Sequence, residues 1–62
     1  MMILSEFHGD GSDRQALVYK ENGKFYVRQI EHGSMIAVRY FDSEDVAEIY
    51  AEDWVMEYGD NK

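Results

Sequence analysis

Apolar positions follow two different rhythms along the chain, and the change between them divides it. Residues 2–41 hold short apolar and aromatic runs separated by turn-forming pairs, whereas residues 43–58 repeat apolar side chains at three- and four-residue steps. The first rhythm is that of β-strands and the second that of an amphipathic helix.

Turn chemistry locates the strands. Asn22-Gly23 separates Ala16-Leu17-Val18-Tyr19 from Phe25-Tyr26-Val27-Arg28-Gln29-Ile30, and an Asn-Gly pair suits a type I′ turn because both central positions need φ above zero. His32-Gly33 marks a second turn, before Met35-Ile36-Ala37-Val38-Arg39-Tyr40-Phe41. Upstream, a short apolar run from Met2 to Phe7 ends in His8, Gly9, Asp10, Gly11, Ser12 and Asp13, a loop by its glycine and polar content. Strands are expected over about 2–7, 15–21, 24–31 and 35–41.

With two residues in each turn, Val18 faces Val27, Val27 faces Val38 and Phe25 faces Tyr40, and these share one face with Ile36. The opposite face then carries Leu17, Tyr19, Tyr26, Arg28, Ile30, Met35, Ala37, Arg39 and Phe41, too apolar for a plain solvent face and too polar for a core face.

Asp42 and Ser43 both suit a helix N-cap, and the helix is expected over about 43–58 with Gly59 as its stop and Asp60-Asn61-Lys62 as a polar tail. Val46, Ala47, Tyr50, Ala51, Trp54 and Tyr58 form its apolar stripe. The two rhythms together predict an α+β fold: a three- or four-stranded antiparallel meander, βββα or ββββα, with the C-terminal helix packed on one face. Trp54, Tyr50 and Ala51 are expected to meet Phe25, Val27 and Val38, with Trp54 as the main core anchor.

Two apolar positions fall outside the stripe. Ile49 and Met56 nearly superimpose in helical projection, between Asp45 or Glu52 on one side and Asp53 on the other, while Val55 sits at the opposite edge, toward Glu44 and Glu48. One small sheet needs only one face of a helix, so this second ridge points to a further contact. Chain length points the same way. At 62 residues the chain is expected to be a single domain with a thin core, and self-association is a way to add burial. Tyr19, Tyr26, Arg28, Ile30, Met35, Arg39 and Phe41 on the outer sheet face, with Ile49 and Met56, are the candidate interface, through stacked faces or paired edges.

Charge is divided as sharply as hydrophobicity. Residues 1–41 carry five acidic and five basic side chains; from Asp42 onward there are eight acidic residues and one lysine, so the net charge of -7 belongs to the helix and its flanks. The plain reading is a solvated face, at some cost because Glu44, Glu48 and Glu52 are like charges at four-residue spacing. A functional reading makes Glu44, Asp45, Glu48, Glu52, Asp53 and Glu57 a recognition face for a basic protein, in its sharpest form a mimic of a phosphate backbone that blocks a nucleic-acid-binding protein. Direct nucleic-acid binding is not expected: Arg28 and Arg39 beside Tyr19 and Tyr26 resemble a stacking platform only faintly, on so acidic a chain.

Candidate chemistry is sparse. There is no cysteine, hence no disulfide, thiolate ligand or thiol nucleophile. Asp10-Gly11-Ser12-Asp13 lacks the ligand spacing of a Ca²⁺ loop, since Ala16 and Val18 fall at intervening ligand positions before Glu21. His8 and His32 read as surface residues, and Ser5, Ser12, Ser34 and Ser43 occupy no strained elbow. No catalytic, cofactor or metal residue is assigned. Met1-Met2-Ile3-Leu4 meets Glu6 too soon for a signal peptide or membrane span, so no membrane association is expected and a cytoplasmic address is the default.

The expected function is that of a small acidic, non-catalytic accessory or regulatory protein, of the kind viruses also encode, acting through contacts with itself or another, basic protein. The nucleic-acid mimic and a purely structural role are the alternatives.

Overall fold

The computed structural model describes residues 1–9 and 13–57, the side chain of Glu57 excepted. Asp10, Gly11 and Ser12 of the glycine loop, Tyr58 of the apolar stripe, the Gly59 stop and the tail to Lys62 lie outside the described residues. Strands β1 (Met2–His8), β2 (Arg14–Glu21), β3 (Lys24–Glu31) and β4 (Ser34–Phe41) form one antiparallel sheet in sequence order, and helix α1 (Glu44–Glu57) crosses one of its faces, mainly over β2 and β3. The meander is thus the four-stranded form of the two expected.

The β2–β3 and β3–β4 hairpins have the predicted turns. Asn22 and Gly23 have φ of 54° and 77°, and His32 and Gly33 have φ of 56° and 80°, the positive pairs whose twist matches flanking strands. His32 donates its backbone N–H to the Asp13 carbonyl at 3.2 Å, with its Nδ1 2.9 Å from Asp13 Oδ2, so pairing continues one step beyond Arg14 and Glu31. Between β2 and β3 the register is uninterrupted and includes the expected Val18–Val27 pair.

On β4 the register differs from expectation. Ile30 pairs with Met35 but Gln29 pairs with Ala37, leaving Ile36 as an extra residue. A one-residue bulge reverses the face of every side chain beyond it. Val27 therefore pairs with Arg39 rather than Val38, and Phe25 with Phe41 rather than Tyr40. Ala37, Arg39 and Phe41 move to the helix side, while Val38 and Tyr40 move to the outer face opposite Arg28 and Tyr26. Three contacts favour this register. The Phe41 ring lies 5.1 Å from that of Tyr50, the Tyr40 ring 5.9 Å from that of Tyr26, and Arg39 Nε donates at 3.2 Å to the side-chain carbonyl of buried Gln29. A second irregularity between Ile3 and Ser5 on β1 accompanies the packing of Leu4 against the core.

The core consists of Ala16 and Val18 from β2, Val27 from β3, and Ala47, Ala51 and Val55 from α1, bordered by Leu4, Phe7, Phe25, Phe41, Tyr50 and Trp54. The helix is rolled relative to the expected stripe: Val55 is only 2% exposed, whereas Val46 is 49% exposed. Alanine at 47 and 51 allows the closest approach to the sheet, and the four-residue row through them continues to Val55. Val46, about 100° around the helix from Ala47, is carried to the exposed side. Trp54 is half-buried at the margin; the largest fully buried side chains are Val18, Val27 and Val55. Each such valine stabilises the fold by about 1.5–3 kcal/mol.

Of the two expected caps, Ser43 takes the role. Its Oγ accepts the Val46 N–H at 3.5 Å and its carbonyl accepts the Ala47 N–H at 3.0 Å, while Asp42 accepts a hydrogen bond from the Tyr40 hydroxyl. Glu44 and Asp45 then occupy the first turn, where the helix dipole favours negative charge. Among the described residues, no helix is long and apolar enough to cross a membrane.

Candidate functional site

The bulged register exposes apolar side chains at one edge of the sheet. β4 has a strand neighbour on one side only, and Met35, Ile36, Val38 and Tyr40 are 57%, 54%, 43% and 49% exposed. Arg39 is its single charged residue. Edge strands are commonly guarded by inward charges, proline or a bulge; β4 has its bulge near its start, at Ile36, and Arg39 on the helix side, and from Ala37 to Phe41 its pairing with β3 is regular. The opposite edge also exposes apolar residues, Met2 at 59% and Ile3 at 50%, but its middle is tied to the helix. β1 carries Glu6 and a mid-strand irregularity, and its Ser5 Oγ donates to Glu48 Oε2 of the helix at 2.6 Å.

The middle of the outer face, by contrast, is largely covered by its own side chains. Tyr19 and Tyr26 stack with ring centroids 5.3 Å apart and an interplanar angle of 16°, and the Arg28 guanidinium lies 5.3 Å from the Tyr19 ring. Tyr19 is consequently buried although it faces away from the helix, and Tyr26, Arg28 and Ile30 are half-buried. Of the interface candidates that the structure keeps on the outer face, Met35 alone is exposed. Arg39 and Phe41 lie on the helix side instead, for the register reason given above. Ile36, Val38 and Tyr40, which the uniform register assigned to the core face, are the exposed residues it missed; the near absence of charge between Ser34 and Phe41 was their available sequence signal.

The strand cations are also occupied within the chain. Arg14 lies 4.6 Å from the Trp54 ring centroid, Lys20 5.6 Å from Phe25, Lys24 5.2 Å from Tyr40, and Arg28 5.3 Å from Tyr19. Arg39 is held by Gln29. Cation–π contacts of this kind contribute about 0.5–1 kcal/mol at exposed sites and cover apolar ring surface.

On α1 the second apolar ridge is present and longer than expected. Ile49 and Met56 are 60% and 51% exposed, and the roll of the helix adds Val46 beside them. Asp45, Glu52 and Asp53 flank this ridge, all exposed; Glu48 is half-buried through its bond from Ser5, and Glu44 lies in the first turn. The side chain of Glu57, the last candidate acid, lies outside the described residues. Among the described residues no ion pair reaches a carboxylate of α1, the pairs found being Arg14 with Glu31 and His32 with Asp13. An open groove of about 360 Å³ runs between helix and β1, lined by Phe7, Asp45, Glu48, Ile49 and Glu52. Among the described residues no three histidine or carboxylate side chains gather as a metal-holding group.

The chain matches no protein-family model, and no curated protein or solved structure is significantly similar to it.

Proposed function

We propose that the protein is a non-catalytic accessory module that acts through protein contacts and pairs with a second copy of itself along β4. The observation that supports this reading is the β4 edge: one side without a strand neighbour, four large apolar residues exposed, and a single charge. Antiparallel pairing of two β4 strands about a two-fold axis supplies partners for the open row of backbone groups and covers Val38 and Tyr40.

Electrostatics permits this arrangement. The helices lie mainly over β2 and β3, so edge pairing separates them by about four strand spacings, roughly 20 Å. That exceeds the Debye length of about 8 Å at physiological ionic strength. Helix-to-helix pairing would instead oppose two acidic surfaces, and face-to-face stacking would use a tyrosine–arginine surface that is already partly covered.

Light scattering on a sizing column tests the reading. The wild-type chain is expected at twice its 7.3 kDa mass, dissociating on dilution, and Val38→Lys at the single-chain mass. A wild-type mass of 7.3 kDa at every concentration, or a Val38→Lys variant that associates as well as wild type, overturns it.

A further inference from the structure

We infer that the groove between α1 and β1 receives a basic amphipathic segment of a different protein. This deepens the reading of the chain as a protein-binding module and names the partner chemistry of a second surface. Phe7 and Ile49 offer an apolar seat, with Ile49 60% exposed. Asp45 and Glu52 stand one turn before and one turn after Ile49 on the helix, and no described cation pairs with either. Glu48 is positioned at the groove by the 2.6 Å hydrogen bond from Ser5.

A segment that fits both properties places an aliphatic side chain on Phe7 and Ile49 and a lysine or arginine toward each flanking carboxylate. An amphipathic helix with basic residues one turn either side of an apolar one has that spacing. A second copy of this chain is a poor occupant because its strand cations lie against Trp54, Phe25, Tyr40, Tyr19 and Gln29. Its own helix repeats the same negative charge. A small organic ligand is poorly matched to so open and charged a surface. Apolar contact supplies the part of recognition that salt does not screen, and the carboxylates supply orientation and encounter rate.

The test uses a synthetic lysine–leucine peptide of amphipathic helical pattern and a scrambled peptide of identical composition, titrated against the full chain by calorimetry. The patterned peptide is expected to bind at least about tenfold more tightly, the margin given by one well-buried aliphatic side chain. Ile49→Ser is expected to remove that margin, and Asp45→Asn with Glu52→Gln to weaken binding and flatten its salt dependence. Circular dichroism confirms that these exposed substitutions leave the fold intact. Equal binding of the scrambled peptide, or binding indifferent to Ile49→Ser, overturns the inference. Val38→Lys separates the two readings: a single-chain variant that retains peptide binding shows the groove to be independent of the β4 contact, and loss of binding in that variant contradicts the groove as placed here.

Discussion

The Arg14 guanidinium lies over the Trp54 ring at 4.6 Å while its Nη1 donates to the Trp54 carbonyl at 2.8 Å. One side chain at the start of β2 thereby covers the indole and accommodates a carbonyl from the last turn of α1, where no basic helical residue is present. Its Nε also lies 3.6 Å from Glu31 Oε2 on β3. A planar, multiply donating group is required for this combination.

Arg14→Lys is therefore expected to destabilise the fold by about 1 kcal/mol and Arg14→Ala by about 1–2 kcal/mol. Urea unfolding followed by Trp54 fluorescence measures both. A lysine variant equal to wild type contradicts the geometric role.

The roll of the helix gives a second expectation. Val55→Ala is expected to cost about 2 kcal/mol through lost burial and an incompletely filled space, whereas Val46→Ala is expected to cost less than about 0.5 kcal/mol. Thermal unfolding of the pair decides the orientation, and the reverse ranking restores the stripe anticipated from periodicity.

Those two valines also show where the sequence is legible and where it is not. Turn positions, strand order and the helix follow from local chemistry: Asn22-Gly23, His32-Gly33 and Ser43 constrain only their neighbours. Apolar periodicity marks a broad stripe but not its centre, because Val46 and Val55 are equally apolar. Their burial is decided by close approach at Ala47 and Ala51, a property of helix and sheet together. The uniform register failed for a similar reason. No turn residue marks the extra Ile36; Phe41 against Tyr50 and Arg39 against Gln29 select it after the strands have met. On the candidate surfaces, the Ile49–Met56 ridge was visible in helical projection, while the exposed β4 edge depended on the bulge.

Deleting Ile36 gives a direct test of that register. Without it, Gln29 still faces Ala37 and Val27 still faces Arg39, so the side chains on the helix side keep their places. The deletion is expected to shift stability by less than about 1 kcal/mol and to preserve the aromatic near-ultraviolet circular dichroism of the Tyr19, Tyr26 and Tyr40 row. Loss of cooperative folding contradicts the pairing described.

Charge on the helix predicts a salt response opposite in sign to that of an ion-paired fold. Glu44, Glu48 and Glu52 repel at four-residue spacing with no described cation beside them. Raising NaCl from about 0.01 M to about 0.15 M is expected to stabilise the chain by roughly 0.5 kcal/mol, and Glu52→Gln is expected to reduce that gain. A thermal midpoint that falls with salt contradicts it.

Pairing along β4 is tested most directly by cross-linking, because the chain has no cysteine of its own. Ile36→Cys, Val38→Cys and Tyr40→Cys, made singly, are compared with Ile49→Cys under mild oxidation at concentrations below those that force random collision. The expected result is rapid covalent dimer from at least one β4 position, where a two-fold axis brings identical residues within disulfide reach, and little from Ile49→Cys. No dimer from any β4 position, or faster dimer from Ile49→Cys, contradicts the account.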